Sequence, residues 1–113
     1  MMNDNLVMSD YAIEELVGGV VKDFKEIEGI GSDFAKDLLE IFNGDEAKRG
    51  IKIKREKDNL FIDILLRVYF LTNLKSLSKK LRNKINEILS KFTPYKNFEI
   101  NFFYIDVKDK NED

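Results

Sequence analysis

Residues 50–107 decide the fold, and their sequence is GIKIKREKDNLFIDILLRVYFLTNLKSLSKKLRNKINEILSKFTPYKNFEINFFYIDV. Isoleucine and lysine alternate over residues 51–54, and apolar side chains recur at every second position from Leu60 to Phe70. A period of two is typical of a β-strand, and the polar residues 57–59 between the two runs are typical of a tight turn. The first part of the stretch therefore predicts an antiparallel hairpin.

The remainder of the stretch predicts a helix followed by a strand. Apolar residues form one stripe at helical spacing, and Pro94 ends the helical region. The members of the stripe are Leu74, Leu77, Leu81, Ile85, Ile88, Leu89 and Phe92. Alternation resumes from Asn97 to Val107. Because a helix joins the second and third strands, we expect these strands to be parallel, with a right-handed crossover if they share a sheet.

The N-terminal part of the chain predicts a first helix. Ser9 is a favourable N-cap ahead of apolar residues at helical spacing from Ile13 to Phe24, and the glycines within residues 28–31 fit the end of that helical region. Gly18-Gly19 interrupts the pattern, which favours close packing against another element, with a hinge as the alternative.

A short second helix is predicted from Ser32 to Phe42, where residues 43–45 (Asn-Gly-Asp) break it. Together the elements predict an α+β fold, in which a three-stranded mixed sheet consists of the hairpin plus one strand after a crossover helix. The two main helices pack on one face of this sheet. We expect a flexible N-terminus over residues 1–8, a single domain over 9–107 and a disordered charged tail over 108–113.

The sheet face opposite the main helices, here called the second face, is too apolar for ordinary solvent-exposed surface. Its apolar side chains come from the last two strands and are Phe61, Leu65, Tyr69, Phe103 and Ile105. An exposed apolar surface of this kind usually marks an interaction site. We expect self-association through these residues, with coverage by the Ser32–Phe42 helix or contact with a different partner as alternatives.

The composition argues against an enzyme. The chain contains no His and no Cys, which excludes disulfides and removes the commonest general base and the commonest metal ligands. The carboxylates form no recognisable acid–base or metal-binding pattern, and Asp63 is expected to pair with Arg67 on the same strand face. We therefore predict no catalytic residues, no metal site and no cofactor. Neither an apolar run of about 18 residues nor a signal peptide is visible, so we expect a cytoplasmic protein.

Charge is unevenly distributed along the chain. Residues 1–49 carry 12 acidic and 5 basic residues, whereas residues 50–97 carry 4 acidic and 12 basic residues. Part of this excess forms a basic face on the long helix, made of Lys75, Lys79, Lys80, Arg82 and Lys84. A solvated helix face, an acidic protein partner and nucleic acid are the alternatives for this face. The strand–strand–helix–strand order loosely suggests a KH-like RNA- or ribosome-associated module, but the GxxG loop of such modules is absent.

Four blocks of sequence, spanning about Met8 to Val107, resemble the alkaline shock protein, or Gls-type general stress, family of Gram-positive bacteria. The first two blocks are Val7-Met8-Ser9-Asp10 with the helix that follows, and Glu26-Ile27-Glu28-Gly29-Ile30. The third comprises Gly50-Ile51-Lys52-Ile53, Leu60-Phe61-Ile62-Asp63-Ile64 and Val68-Tyr69. The fourth comprises the long helix, Phe98-Glu99-Ile100-Asn101 and Ile105-Asp106-Val107.

The resemblance implies a non-enzymatic cytoplasmic protein that self-associates and gathers at the inner face of the membrane through a membrane-anchored partner. It further implies a role in cell-envelope homeostasis and stress. The family has no catalytic motif to transfer to this chain. Two departures stand out, since Phe70 follows Tyr69 where the family has glycine, and residues 32–49 form a longer segment than the family's compact loop.

Overall fold

The computed structural model describes residues 8–33, 38 and 40–108. Their secondary structure follows an α–β–α–β–β–α–β order. The elements are α1 (Asp10–Val21), β1 (Ile27–Ile30), α2 (Gly44–Arg49), β2 (Ile51–Glu56), β3 (Asn59–Tyr69), α3 (Leu74–Phe92) and β4 (Asn97–Val107). Of the predicted flexible N-terminus (1–8) and charged tail (108–113), residues 1–7 and 109–113 lie outside the described residues.

Strand β3 is the centre of the sheet. It pairs with β2 in antiparallel fashion, from Ile51 opposite Ile64 to Glu56 opposite Asn59. On its other edge it pairs with β4 in parallel along its whole length, and Tyr69 lies opposite Val107 at the end of this ladder. The predicted α+β class, hairpin and parallel crossover are therefore confirmed.

The sheet has four strands rather than the three predicted. Strand β1 pairs antiparallel with the C-terminal end of β3, with Ile27 opposite Val68 and Ile30 opposite Leu66. The sequence showed only a helix end here, because the strand is four residues long and contains a glycine. Its ladder comes from a distant part of the chain, which no local pattern records.

The major core lies between the sheet and two helices, α1 and α3, which pack on the same face. Helix α1 supplies Ile13, Val17, Val20 and Val21, and α3 supplies Leu77, Leu81, Ile85 and Leu89. The even-numbered residues from Leu60 to Val68 cover these side chains from β3. Most of the predicted stripe of each helix and of the predicted inward face of β3 therefore meets in one core. Three residues placed there by the patterns are instead exposed, namely Phe70, Leu74 and Phe92.

Helix α1 begins as predicted, because the Ser9 hydroxyl accepts a hydrogen bond from the Ala12 N–H at 3.1 Å. The expected close packing at Gly18-Gly19 is wrong. A Cβ built on either glycine would meet nothing within 4 Å among the atoms outside the helix's own backbone. Since α1 continues through both glycines to Val21, they are interior residues of an unbroken helix.

Strands β1 and β2 lie end to end along one edge of β3. The chain between them is called here the excursion, and its described residues are 31–33, 38 and 40–50. Both ends of the excursion are hydrogen-bonded to Leu65 of β3. The Leu65 carbonyl accepts from the Gly31 N–H at 2.9 Å, and the Leu65 N–H donates to the Gly50 carbonyl at 2.7 Å. Gly31 and Gly50 have φ values of 81° and 76°, in the left-handed region that favours glycine. Gly31 and Gly50, where the two ends of the excursion meet, are called here its neck. A Cβ on Gly50 would lie 2.4 Å from the Gly31 nitrogen, so the neck requires glycine.

The helix in the described part of the excursion is α2, not the predicted Ser32–Phe42 helix. Within that predicted range, residues 32, 33, 38 and 40–42 are not α-helical, and residues 34–37 and 39 lie outside the described residues. Asn43, taken as a break, is the N-cap of α2: its side chain accepts from the Glu46 N–H at 2.8 Å, and the Glu46 carboxylate accepts from the Asn43 N–H at 2.9 Å. This reciprocal capping box starts a helix where the sequence suggested a turn.

Candidate interaction surfaces

The excursion covers the middle of the second face. Phe42 and Leu65 are both completely buried, and Ala47 of α2 completes their cluster. The Phe42 ring meets the Phe103 ring edge to face, with 5.4 Å between centroids. Leu65, one of the five residues predicted for self-association, is therefore an interior residue of this chain and is not on its surface.

The other four predicted residues lie around this small cluster. Phe103 and Ile105 are half-buried and pack against it from β4. Phe61 and Tyr69 are half-buried near the two ends of β3. The predicted apolar face is thus divided by the excursion into two partly exposed ends, which the described part of the excursion does not bury.

The polar side chains of the second face pair differently from the prediction. Asp63 accepts a hydrogen bond from the Asn101 amide at 3.0 Å, so its expected pairing with Arg67 is wrong. Arg67 instead forms an ion pair with Glu28 at 2.5 Å and donates to the Ile30 carbonyl at 3.1 Å. The guanidinium also donates to the Gly31 carbonyl. Arg67 therefore reaches across the antiparallel ladder and ties β3 to β1 and to the neck of the excursion.

The predicted basic face of α3 is two separate surfaces. At about 100° per residue, Lys80 and Lys84 fall on the flank towards α1, and the Lys80 ammonium is 3.4 Å from the Glu26 carboxylate. Lys75, Lys79 and Arg82 fall on the opposite flank, towards β4. The structure therefore separates two of the five cations from the other three.

The flank of α3 beside β4 forms an open groove of about 310 Å³, here called the basic groove. It is lined by Lys75, Ser78, Lys79, Arg82 and Asn83. The lining carries three cations and no acid, so the groove attracts negatively charged groups.

Arg82 and Ser78 connect the basic groove to β4. The Arg82 guanidinium donates to the Ile100 carbonyl at 3.1 Å and lies 5.0 Å from the centroid of the Phe102 ring. The Ser78 and Tyr104 hydroxyls are hydrogen-bonded at 2.6 Å. Burial raises the pKa of Tyr104, and the Ser78 hydroxyl and the Arg82 charge oppose that rise only in part.

An exposed apolar cluster at the β3–α3 connection was missed by the sequence analysis. Its members are Phe70, Leu71 and Leu74, which are 55%, 85% and 36% exposed, and it is called here the apolar tip. Leu71 has a φ of 71°, in the left-handed region that costs a leucine about 1–2 kcal/mol. The alternation of β3 and the stripe of α3 placed Phe70 and Leu74 inside, because neither pattern shows where the core ends.

The described residues show neither a metal-binding cluster nor a membrane-spanning helix. It contains no group of three or more His, Cys, Asp or Glu side chains that could hold a metal ion. None of its helices is both long and apolar enough to cross a membrane. What these residues do offer is surface: the two ends of the second face, the basic groove and the apolar tip.

Comparison with known proteins gives one family. A family model for the Asp23 family, described as having cell envelope-related function, matches residues 2–109. The chain belongs to the Asp23 family. The match covers nearly the whole chain and confirms its predicted relationship to the alkaline shock proteins. No curated protein matches the chain.

Solved structures share the fold at low identity. The C-terminal domain of the magnetosome protein MamB from Desulfamplus magnetovallimortis BW-1 is 11% identical, with a TM-score of 0.56 over 88% of this chain and 98% of that domain. A variant of the MamM C-terminal domain is 5% identical, with a TM-score of 0.50 over 86% of this chain and 99% of that domain. At these identities the similarity concerns the fold alone.

Proposed function

We propose that this member of the Asp23 family is a non-enzymatic interaction protein in cell-envelope homeostasis and stress response. It self-associates and is recruited to the inner face of the membrane by a membrane-anchored partner. The family match over residues 2–109 supports the envelope role. The interaction role is supported by surfaces of this chain that its own packing does not explain.

The apolar tip is the observation that carries the interaction role. Leu71 is 85% exposed in a backbone conformation that leucine disfavours, so neither packing nor backbone preference accounts for it. Phe70 and Leu74, one and three residues from Leu71 along the chain, are exposed as well. Contiguous apolar exposure of this kind is typical of a protein or membrane interaction site, and a partner that covered it would remove the unfavourable contact with water.

The two exposed ends of the second face are the proposed self-association surface. Phe61 lies at one end, and Tyr69 with Ile105 lies towards the other. Leu65 supports this surface from below. A Leu65→Asp variant would bury a carboxylate without a partner and would unfold the protein, so it cannot test association.

A variant of the exposed surface tests self-association. Phe61→Asp places a charge at one end of the second face and is expected to lower the mass of the purified protein measured by light scattering. Phe92→Asp is the matched control, because Phe92 is 52% exposed on α3, away from the second face. If Phe61→Asp keeps the wild-type mass while remaining folded, self-association does not use this end of the face.

Membrane rebinding tests recruitment. Membranes from native cells are stripped of the endogenous protein, and purified protein is added back and sedimented with them. We expect rebinding to intact membranes, and loss of rebinding after protease treatment of the membranes, because the anchor is a protein. Leu71→Gly is expected to weaken rebinding because it removes the most exposed side chain of the apolar tip. Equal binding to protease-treated membranes, or no binding at all, would contradict recruitment by a protein partner.

A further inference from the structure

One edge of the sheet has no strand beside it among the described residues. Strand β4 is eleven residues long, and within the part of the chain that the structure describes it pairs with β3 only. At its two ends, the Asn97 N–H donates to the Asp58 carbonyl at 3.2 Å and the Val107 carbonyl accepts from the Phe70 N–H at 2.9 Å. The odd-numbered residues of β4 therefore direct their backbone groups towards β3.

The even-numbered residues of β4 consequently face the open edge. Backbone groups of successive strand residues point to opposite sides, so a second ladder of N–H and C=O groups points away from β3. It comprises Phe98, Ile100, Phe102, Tyr104 and Asp106. The bond from Arg82 to the Ile100 carbonyl shows that this ladder is within reach of groups outside the sheet. Long open edges of this kind are templates for a further strand.

The basic groove runs beside this open edge. Arg82 lies beside Ile100 and Phe102, and Ser78, one helical turn earlier, is bonded to Tyr104. Because α3 runs antiparallel to β4, Lys75 and Lys79 lie beside the last part of the strand. A strand added there would carry every second side chain towards these three cations.

We propose that the open edge of β4 binds an extended acidic segment of a partner protein, which adds as a strand and directs its carboxylates into the basic groove. This inference rests on the proposed interaction function and names its contact surface and its partner chemistry. Main-chain hydrogen bonds to the even-numbered residues supply affinity, and charge pairing with the groove supplies specificity. Arg82 exchanges the Ile100 carbonyl for a carboxylate of the incoming strand.

The charges favour a partner segment over a second copy of β4. Antiparallel pairing of two β4 strands would bring two basic grooves to the same interface, so that Arg82 and its neighbours would face their own copies. Like charges in such positions oppose association. An acidic strand instead neutralises the groove.

Peptide binding to the purified full-length protein tests the proposal. The probe is a fluorescent peptide as long as β4 that alternates glutamate with valine, and binding is measured by fluorescence anisotropy. We expect saturable binding that weakens with salt. A peptide with lysine in place of glutamate should bind about tenfold more weakly or worse. So should a glutamate–valine peptide N-methylated at every amide, which keeps its charge but has no backbone N–H to donate to the ladder.

Matched variants locate the site. Lys75→Ala/Lys79→Ala should weaken binding about tenfold, whereas Lys80→Ala/Lys84→Ala, with the same loss of charge on the other flank of α3, should leave it unchanged. Asp106→Pro removes one outward N–H on an edge strand, where proline is tolerated, and should weaken binding, whereas Asp106→Ala should not. Thermal melts check that each variant is folded, and the N-methylated peptide tests the ladder without any variant.

Three results would overturn the proposal: no binding of the acidic peptide, equal binding of its N-methylated form, or equal losses from the two lysine pairs. A fall in the mass of the protein in Asp106→Pro would also overturn it, by identifying a second copy as the occupant of the edge. The outcome is separable from the proposed function. If the protein rebinds to membranes but does not bind the peptide, only the proposed role of the β4 edge is refuted. If it binds the peptide but does not rebind to membranes, recruitment to the membrane is refuted and the role of the β4 edge stands.

Discussion

Truncating Phe42 tests whether the excursion packs on the sheet. Phe42 is completely buried between Leu65, which is also completely buried, and the Phe103 ring. Replacing a buried phenylalanine by alanine costs about 3–5 kcal/mol. We expect about 3 kcal/mol for Phe42→Ala, since this cluster is smaller than the major core and can relax. For a domain of this size that loss lowers Tm by about 12 °C or more.

Urea unfolding measures the loss, and hydrogen exchange locates it. The Leu65 N–H donates to the Gly50 carbonyl at the neck of the excursion, so its exchange should accelerate more in Phe42→Ala than that of amides in α3. Phe92→Ala makes the same chemical change at a 52% exposed position and should stay within about 0.5 kcal/mol of wild type. If Phe42→Ala behaves like Phe92→Ala, the excursion does not cover the second face.

Three further predictions follow from single positions. Gly50→Ala should lower the free energy of unfolding by about 1–2 kcal/mol or more in urea melts, because the φ of Gly50 is 76° and a Cβ would meet the Gly31 backbone. Gly18→Ala should raise the free energy of unfolding by about 0.5–1 kcal/mol, because Gly18 lies inside α1 and a Cβ there would meet nothing. Burial raises the pKa of Tyr104 in the folded state, so the Tyr104 hydroxyl ionises first in the unfolded state. The free energy of unfolding should therefore fall as pH rises above about 10. Between about pH 9 and pH 11, Tyr104→Phe should lose less stability than wild type. Leu71→Gly should raise the free energy of unfolding by up to about 1 kcal/mol in the same melts, because it relieves a left-handed leucine; a clear loss of stability would mean that Leu71 is packed.

The elements that the sequence predicted correctly are those with strong periodic patterns. The alternation of β3 and β4 and the apolar stripe of α3 each span eleven or more residues, and they specify both the element and its buried face. The N-cap at Ser9 was equally visible, because capping depends on neighbours in sequence. The family was recognised for the same reason. The four blocks that resemble it consist largely of alternating apolar residues, and the order of these blocks along the chain reflects the order of the sheet strands.

The features that escaped prediction depend on distant contacts. Strand β1 exists because the far end of β3 offers it a ladder, and Leu65 is buried because Phe42 and Ala47 pack over it. Arg67 prefers Glu28 to Asp63 because the antiparallel register brings Glu28 closer than any spacing along β3 suggests. The helical period places the basic residues of α3 on two flanks, although the sequence analysis treated them as one face. Only the position of β4 shows that one of these flanks borders the edge of the sheet.

The most direct measurement is the location of a fluorescent fusion of this protein, expressed at native level in native cells. The account predicts signal along the cell periphery that becomes diffuse when the apolar tip is changed by Leu71→Gly while the protein remains folded. Signal that is diffuse in the wild type, or that follows ribosomes, would contradict recruitment to the membrane and favour an RNA-associated role.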